Sequence, residues 1–433
     1  MKKLWVDPRI QNAEEHTQEK EFSVKLSMTN HPVSIDNTID ENLALIGTKR
    51  LNRVNQPPLV EGYLFLSEAE QKLYYSSITF DKPEYLCDWD SALSGEEPCE
   101  SYQVHITPDG DLIFLKSREM SNPIIYPAGD YSNPILIDFG AERKPFGFIT
   151  DASVDHHPTD DYFVFADYLS HSESMNDEPL YIWKVSKPYD NPANWVKVDT
   201  WYHRHFNSGE GTNPAREVGH FHTTRYDFYA DQWVVTSGDN TEHCRVITSP
   251  DGDTWTDVAN DTQQLRMIGL VFTADGAYWG TDQSTIHYLY KAPRQSGIPQ
   301  YDSLIQLSPL AFPSGGANRQ PTYTTCLMRE PYGLLFLDRA EPRPDHKLDL
   351  EFWSFEDEKL YHLGVFNRMP DEPDANNLNR HGWGNQAVTQ YQSEYQKGIV
   401  CGSNSVTRRM SLDVLNNTID KRVGNLQIEI VRD

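Results

Sequence analysis

Apolar and polar positions alternate in short bursts along most of this chain, with the two-residue period of a strand. The fullest burst is the stretch 220–258, HFHTTRYDFYADQWVVTSGDNTEHCRVITSPDGDTWTDV. It predicts strands over 221–229, 232–237 and 244–248, and the start of another at Thr254-Trp255. Trp233, Val234 and Val235 are residues that favour a pleated, half-buried surface. Ala230-Asp231, Gly238-Asp239-Asn240 and Ser249-Pro250-Asp251-Gly252 carry turn chemistry between the runs. Close-set strands joined by such turns predict an antiparallel meander.

The same unit recurs. YQVHITPDGDLIFLKS (102–117) predicts a hairpin about Asp109-Gly110, and LVFTADGAYWGTD (270–282) predicts one about Asp275-Gly276. Further strands are expected at 63–80, 135–139, 146–150, 162–168, 180–185, 195–201, 287–292, 323–328, 333–338, 349–355, 360–366, 398–401 and 426–431. After residue 58 these fall into seven groups of about 50 residues each, and helical periodicity is almost absent. Regular short strands over such a length predict an all-β chain, a seven-bladed β-propeller over 59–433. Residues 1–58 are more polar and read as an N-terminal arm or lead-in, or as a first outer strand with its loop. A short helix is expected within 35–51, ending before Pro57-Pro58. The final NLQIEIVRD is expected to complete the first or last blade, since a closed ring leaves no sheet edge.

The turn SPDGDTW (249–255) resembles the Asp-box of the sialidase-like, or BNR-repeat, propeller superfamily. The resemblance implies an Asp that ties the turn together and a Trp packed between strands. It covers one turn of one blade and specifies no reaction. Sialidases of that superfamily hold a substrate carboxylate with three arginines, the first in an Arg-Ile-Pro stretch. That stretch is missing here; Arg319-Gln-Pro comes far too late, and Arg225, Arg294 and Arg339 are the arginines from which a triad would have to be built. A sialidase is therefore not the expected activity.

Composition narrows the partners. A net charge of −26 argues against nucleic acid, which needs a basic face, and against anionic membranes. Bound cations would offset some of that charge. No apolar run approaches the ~18 residues of a membrane span, and the N-terminus has no apolar leader core. The expectation is a protein made in the cytosol and either carried on a virion or released, with a cytoplasmic protein as the alternative. The five cysteines include no CxxC pair; Cys87 and Cys99 are close enough for a bridge, and buried free thiols are the other reading. The 23 Tyr, 18 Phe and 10 Trp serve blade packing first, and stacking on sugar rings where they surface.

Candidate chemistry lies at strand ends. Asp151, Asp239 and Asp282 each close a strand, so they either ring one rim of the propeller or cap their own turns. His220 and His222 flank Phe221 and point to one side of a strand. Such a pair binds a divalent metal, zinc or calcium, with Asp239 or Glu242 as third ligand, or acts in acid–base work, or packs. Some polysaccharide lyases are propellers that use His, Tyr and Arg, and His220, His222, Arg225, Tyr226 and Tyr229 offer those types. The catalytic set expected is His220, His222, Arg225, Tyr226 and Asp239; the substrate-binding set is His105, Asp151, His157, Trp279, Asp282 and Arg339. No Gly-rich phosphate loop, GxSxG elbow or HExxH occurs. The function expected is recognition of a glycan or polysaccharide by a surface- or virion-borne propeller of phage-adhesin type, its arm attaching to other virion or surface proteins. The alternatives are a polysaccharide lyase or glycoside hydrolase, and a propeller for intracellular protein interaction.

Overall fold

The structure, a computed structural model, describes residues 22–28, 38–40, 44–49, 62–67, 70–77, 84–89, 102–116, 120–147, 153–169, 173–205, 208, 211, 213–281, 288–309, 322–329, 333–340, 347–355, 358–367, 387–392, 397–403, 406–411, 419–420 and 424–432. Among them the regular elements are strands and single turns of 3-10 helix. No helix there is long and apolar enough to cross a membrane.

The strands form successive antiparallel meanders. The first sheet holds Ala44–Lys49, Gly62–Ser67, Lys72–Ser77 and Glu84–Asp88. The second holds Tyr102–Ile106, Leu112–Lys116, Ile124–Tyr126 and Ile135–Leu136. The third runs from Val154–His156 through Tyr162–Ala166 and Pro179–Ser186 to Trp195–His203, with Glu217–Val218 added parallel at its edge. The fourth is His220–Asp227, Gln232–Gly238, Arg245–Ser249 and Thr256–Asn260. The fifth is built on Met267–Thr273, Gly276–Thr281, Tyr288–Gln295 and Ile305–Pro309. The sixth is Thr322–Arg329, Gly333–Ala340, Lys347–Ser354 and Lys359–Asn367. The seventh is Ala387–Gln392, Lys397–Ser403 and Val406–Ser411, with Thr38–Asp40 pairing onto its outer edge.

The first strand of one sheet lies against the first strand of the next, the second and third sheets meeting where His105 stacks beside His156, and Ala387–Gln392 returns to Ala44–Lys49. Sheets arranged radially in that order, inner strands facing a shared axis, make a β-propeller. The cores lie between blades, as radial packing requires. Leu64 and Leu73 meet Phe114 and Tyr126 between the first and second sheets. Trp201 of the third meets Trp233 and Val235 of the fourth, while Val234, pointing the other way, joins Trp279 of the fifth. A second strand buried on both faces therefore reads as a continuous apolar run, as in QWVVTSG. Trp183, Trp201, Trp233 and Trp279 are among the largest side chains fully buried.

Two expectations are corrected. In place of a helix within 35–51 there are two strands, Thr38–Asp40 and Ala44–Lys49. The ring is closed by Thr38–Asp40 on Val406–Ser411, so the N-terminal segment completes the last blade. The C-terminal strand Gly424–Arg432 instead pairs with Phe22–Met28 and Ile419–Asp420 in a separate small sheet. Of the two readings given for the cysteines, buried free thiols holds for Cys87 and Cys244; burial pushes the Cys87 thiol up to about 12.

The SPDGDTW turn is held by its own side chains. Asp251 Oδ1 accepts from the amides of Asp253 and Thr254, both at 2.8 Å, and from the Ser249 hydroxyl at 3.0 Å. Those amide bonds favour the ionised form and hold the Asp251 carboxyl down at about 2. Gly252 takes φ +74°, open to a residue without Cβ, and Trp255 is buried behind the turn.

Candidate functional site

His220 opens the inner strand of the fourth blade. The strand beside it runs antiparallel and places Gly238 opposite His220, so the loop after Gly238 returns to the same end. Asp239 stands first in that loop, and Arg266 stands just before the inner strand of the fifth blade. Antiparallel pairing and the blade-to-blade step thus bring three separated segments to one end of the propeller.

The side chains converge there. His220 Nδ1 lies 3.2 Å from Asp239 Oδ2. The His220 and His222 rings are 4.7 Å apart, and Tyr168 packs 4.5 Å from His220. Arg266 donates to Asp239 Oδ1 at 3.1 Å and to the Asp239 carbonyl at 3.2 Å. His222 Nδ1 is 3.0 Å from the Met267 carbonyl. A carbonyl only accepts, so Nδ1 carries the proton and Nε2 keeps its lone pair. His220, His222 and Asp239 are all buried, and one ligand atom from each lies within 4.8 Å of the others.

Local irregularities build this corner. The pairing register slips between Phe221 and Thr223, which makes His222 the extra residue of a β-bulge, a device that re-aims a side chain. Asp239 holds φ +99°, a backbone conformation that costs a non-glycine residue about 1 kcal/mol or more. Gly219 and Gly238 make room: a Cβ on Gly219 would fall 2.6 Å from Asp239 Oδ2, and one on Gly238 would fall 2.1 Å from His222 Cε1. Ser153 donates its hydroxyl to the His222 carbonyl at 2.5 Å, fixing the strand against the third blade. His203 Nδ1 sits 2.5 Å from the Gly219 carbonyl, behind the corner.

The other expected residues are placed elsewhere. Arg225 points to the third blade, donating to the Val154 carbonyl at 3.2 Å. Tyr226 is at the far end of the same strand, among Phe228, Trp233 and His157, and donates to Asp231. Six residues at ~3.3 Å each put it about 20 Å from His220. His157 caps the amide of Asp160 at 3.0 Å and stacks on Tyr162, beside the Asp-box turn. His105 packs between blades against His156 and Phe163. Trp279 is a core residue whose indole donates to the Gln264 carbonyl. Arg294 is bound to Asp227 at 2.7 and 2.9 Å, which removes it from any triad with Arg225. Glu242 is exposed and accepts from Asn240, so Asp239 is the carboxylate at the corner. Asp151 and Asp282 lie outside the described residues; Arg339 is described only in its backbone, which pairs with Tyr323 and Leu348.

Sequence reasoning missed Arg266, the Met267 carbonyl, Tyr168 and the two glycines. Arg266 stands one residue before an inner strand, at the end where His220 begins one.

No protein-family model and no curated protein matches the chain. Among solved structures, an oligogalacturonate lyase in complex with manganese superposes with TM-score 0.51 at 8% identity, over 93% of this chain and 99% of that one. A GH74 xyloglucanase from Xanthomonas campestris superposes with TM-score 0.51 at 11% identity, over 94% of this chain and 55% of that one. At such identities the likeness is one of fold.

Proposed function

We propose that this β-propeller recognises an acidic glycan at the end where its inner strands begin, through His220, His222, Asp239 and Arg266. The observation that carries the reading is the convergence of these four on one corner, from three segments of the chain. In a chain of net charge −26, a corner that holds the Arg266 guanidinium is a place where a carboxylate or sulfate finds a cationic donor. Propellers bind ligands on the face reached by the loops around the axis, and this corner belongs to those loops. The Asp-box turn supports placing the chain among sialidase-like repeat propellers, although the corner has no arginine triad. A particle or cell surface, where the glycan is presented to a binder, is the setting proposed.

A second reading is favoured by the 3.2 Å approach of His220 to Asp239 with Tyr168 beside it. A carboxylate that orients an imidazole is the arrangement of a general base. In a uronate chain such a base would take the C5 proton next to the carboxylate; a C4=C5 double bond would form as the C4–O bond breaks, and the departing oxygen would take up a proton from water or an acid, as in a lyase.

The test is retention of the protein on an array of neutral, uronate and sulfated glycans, followed by incubation with the retained classes. Retention confined to acidic glycans supports the first reading. Growth of the ultraviolet absorbance of an unsaturated uronate supports the second. Protein that binds neither class, or neutral glycans alone, contradicts both.

A further inference from the structure

We infer that His220, His222 and Asp239 form a binding site for one divalent transition-metal ion of the zinc class. The ligand types come first. Two imidazoles and one carboxylate suit zinc, cobalt or nickel, whereas calcium takes six to eight oxygens. Once Asp239 rather than a second carboxylate completes the set, these types favour the nitrogen-preferring ion over calcium.

Geometry comes second. Two ligand atoms about 2.1 Å from a tetrahedral zinc lie about 3.4 Å from each other. His220 Nδ1 and Asp239 Oδ2 already stand 3.2 Å apart. The full set spans no more than 4.8 Å, so the three atoms close around an ion by small side-chain shifts.

Outer contacts come third. A metal-bound histidine commonly gives its other N–H to a carbonyl, and a metal-bound carboxylate is itself hydrogen-bonded. His222 has the Met267 carbonyl on Nδ1 at 3.0 Å, an outer contact of the kind that orients a metal-bound ring. Asp239 has Arg266 on Oδ1, which leaves Oδ2 turned to His220. Three protein ligands are one short of a closed zinc shell, and the open position admits water or a ligand. The ion, Asp239 and Arg266 together carry a net +2, so an anionic ligand fits that position. Giving the position to a glycan carboxylate rests on the function proposed above; the ion itself does not.

The experiment uses the full chain stripped with a chelator and dialysed. Isothermal titration with zinc is expected to give one equivalent per chain, with affinity falling in the order zinc, cobalt, manganese. Cobalt is expected to develop visible absorption bands with nitrogen ligation. His222→Ala and the volume-conserving Asp239→Asn are each expected to weaken zinc on the order of 100-fold, while His105→Ala leaves it unchanged. No heat from wild-type protein, binding unaltered in both variants, or calcium binding tighter than zinc would overturn the inference. The wild-type titration alone decides it should His222→Ala fail to fold. Zinc bound without glycan retention supports the ion and contradicts the glycan reading. Equal glycan retention by stripped and loaded protein overturns the role given to the open position.

Discussion

Replacing Gly238 by alanine tests the corner through sterics alone. The added Cβ would lie 2.1 Å from His222 Cε1, 2.8 Å from Nδ1 and 2.9 Å from Nε2. Carbon atoms rest about 3.5–4.0 Å apart, so the imidazole must move by about 1.5 Å. It has little freedom to do so. Its Nδ1 bonds the Met267 carbonyl at 3.0 Å, its own carbonyl accepts from Ser153, and the His220 ring is 4.7 Å away. Losing the Met267 bond costs about 0.5–1.5 kcal/mol, and overpacking adds about 1–3 kcal/mol. The variant should be destabilised by about 2–4 kcal/mol in urea denaturation, with zinc affinity weakened on the order of 100-fold. The decisive arm is a double-mutant cycle. Gly238→Ala combined with His222→Ala removes the ring that clashes, so the pair should cost less than the sum of the singles by about 1 kcal/mol or more. Strict additivity, or a single variant that unfolds and binds zinc like wild type, refutes the placement of His222 on Gly238.

Arg294→Met strands the fully buried Asp227 carboxylate and should cost about 3–5 kcal/mol by denaturation, much of it recovered in the Asp227→Asn/Arg294→Met pair. Burial raises the Asp227 pKa above 3.8, so the ionised group opposes folding and the single variant's deficit should widen as pH rises through that range; a flat profile contradicts this. Asp251→Ala should show the opposite sign. The wild-type carboxyl, held at about 2, lends stability above pH 3.8 that fades as pH falls toward 2, no more than about 1 kcal/mol for so exposed a group. Comparing acid unfolding of the two proteins measures it. Trp233→Ala should lose about 3–5 kcal/mol, because the indole is fully buried between blades and donates to the Tyr162 hydroxyl at 3.1 Å; a normal denaturation midpoint contradicts that packing. His105→Ala should leave glycan retention unchanged, since the ring packs between blades.

The strands were legible wherever apolar alternation coincided with turn chemistry. LVFTADGAYWGTD declared its hairpin because both strands are apolar, although the turn falls on Ala274-Asp275, one residue before the expected Asp275-Gly276. ENLALIGTK did not declare Ala44–Lys49: its local pattern suits a helix, and pairing with Gly62–Ser67 overrides it. Val406–Ser411 was equally hidden, because VTRRMS has little alternation. At the site, the spacing of His220 and His222 sufficed to pair them, and the turn after Gly238 sufficed for Asp239. Arg225 and Tyr226 were grouped with them by closeness in sequence, which fails on a strand, where neighbours face opposite ways and six residues span about 20 Å. His105 and His157 were expected among the substrate-binding residues, yet their rings pack against aromatic side chains of neighbouring strands. Arg266 depends on the step from one blade to the next, which only the closed ring reveals.

The most direct measurement is titration of the full chain with a defined acidic oligosaccharide from the retained class, by calorimetry, in wild type and in Arg266→Gln/His220→Ala. Saturable binding by wild type, with affinity lost on the order of 100-fold or more in a variant whose circular dichroism is unchanged, is the predicted result. Equal affinity in the two proteins would contradict it, and would move the glycan to another part of the propeller.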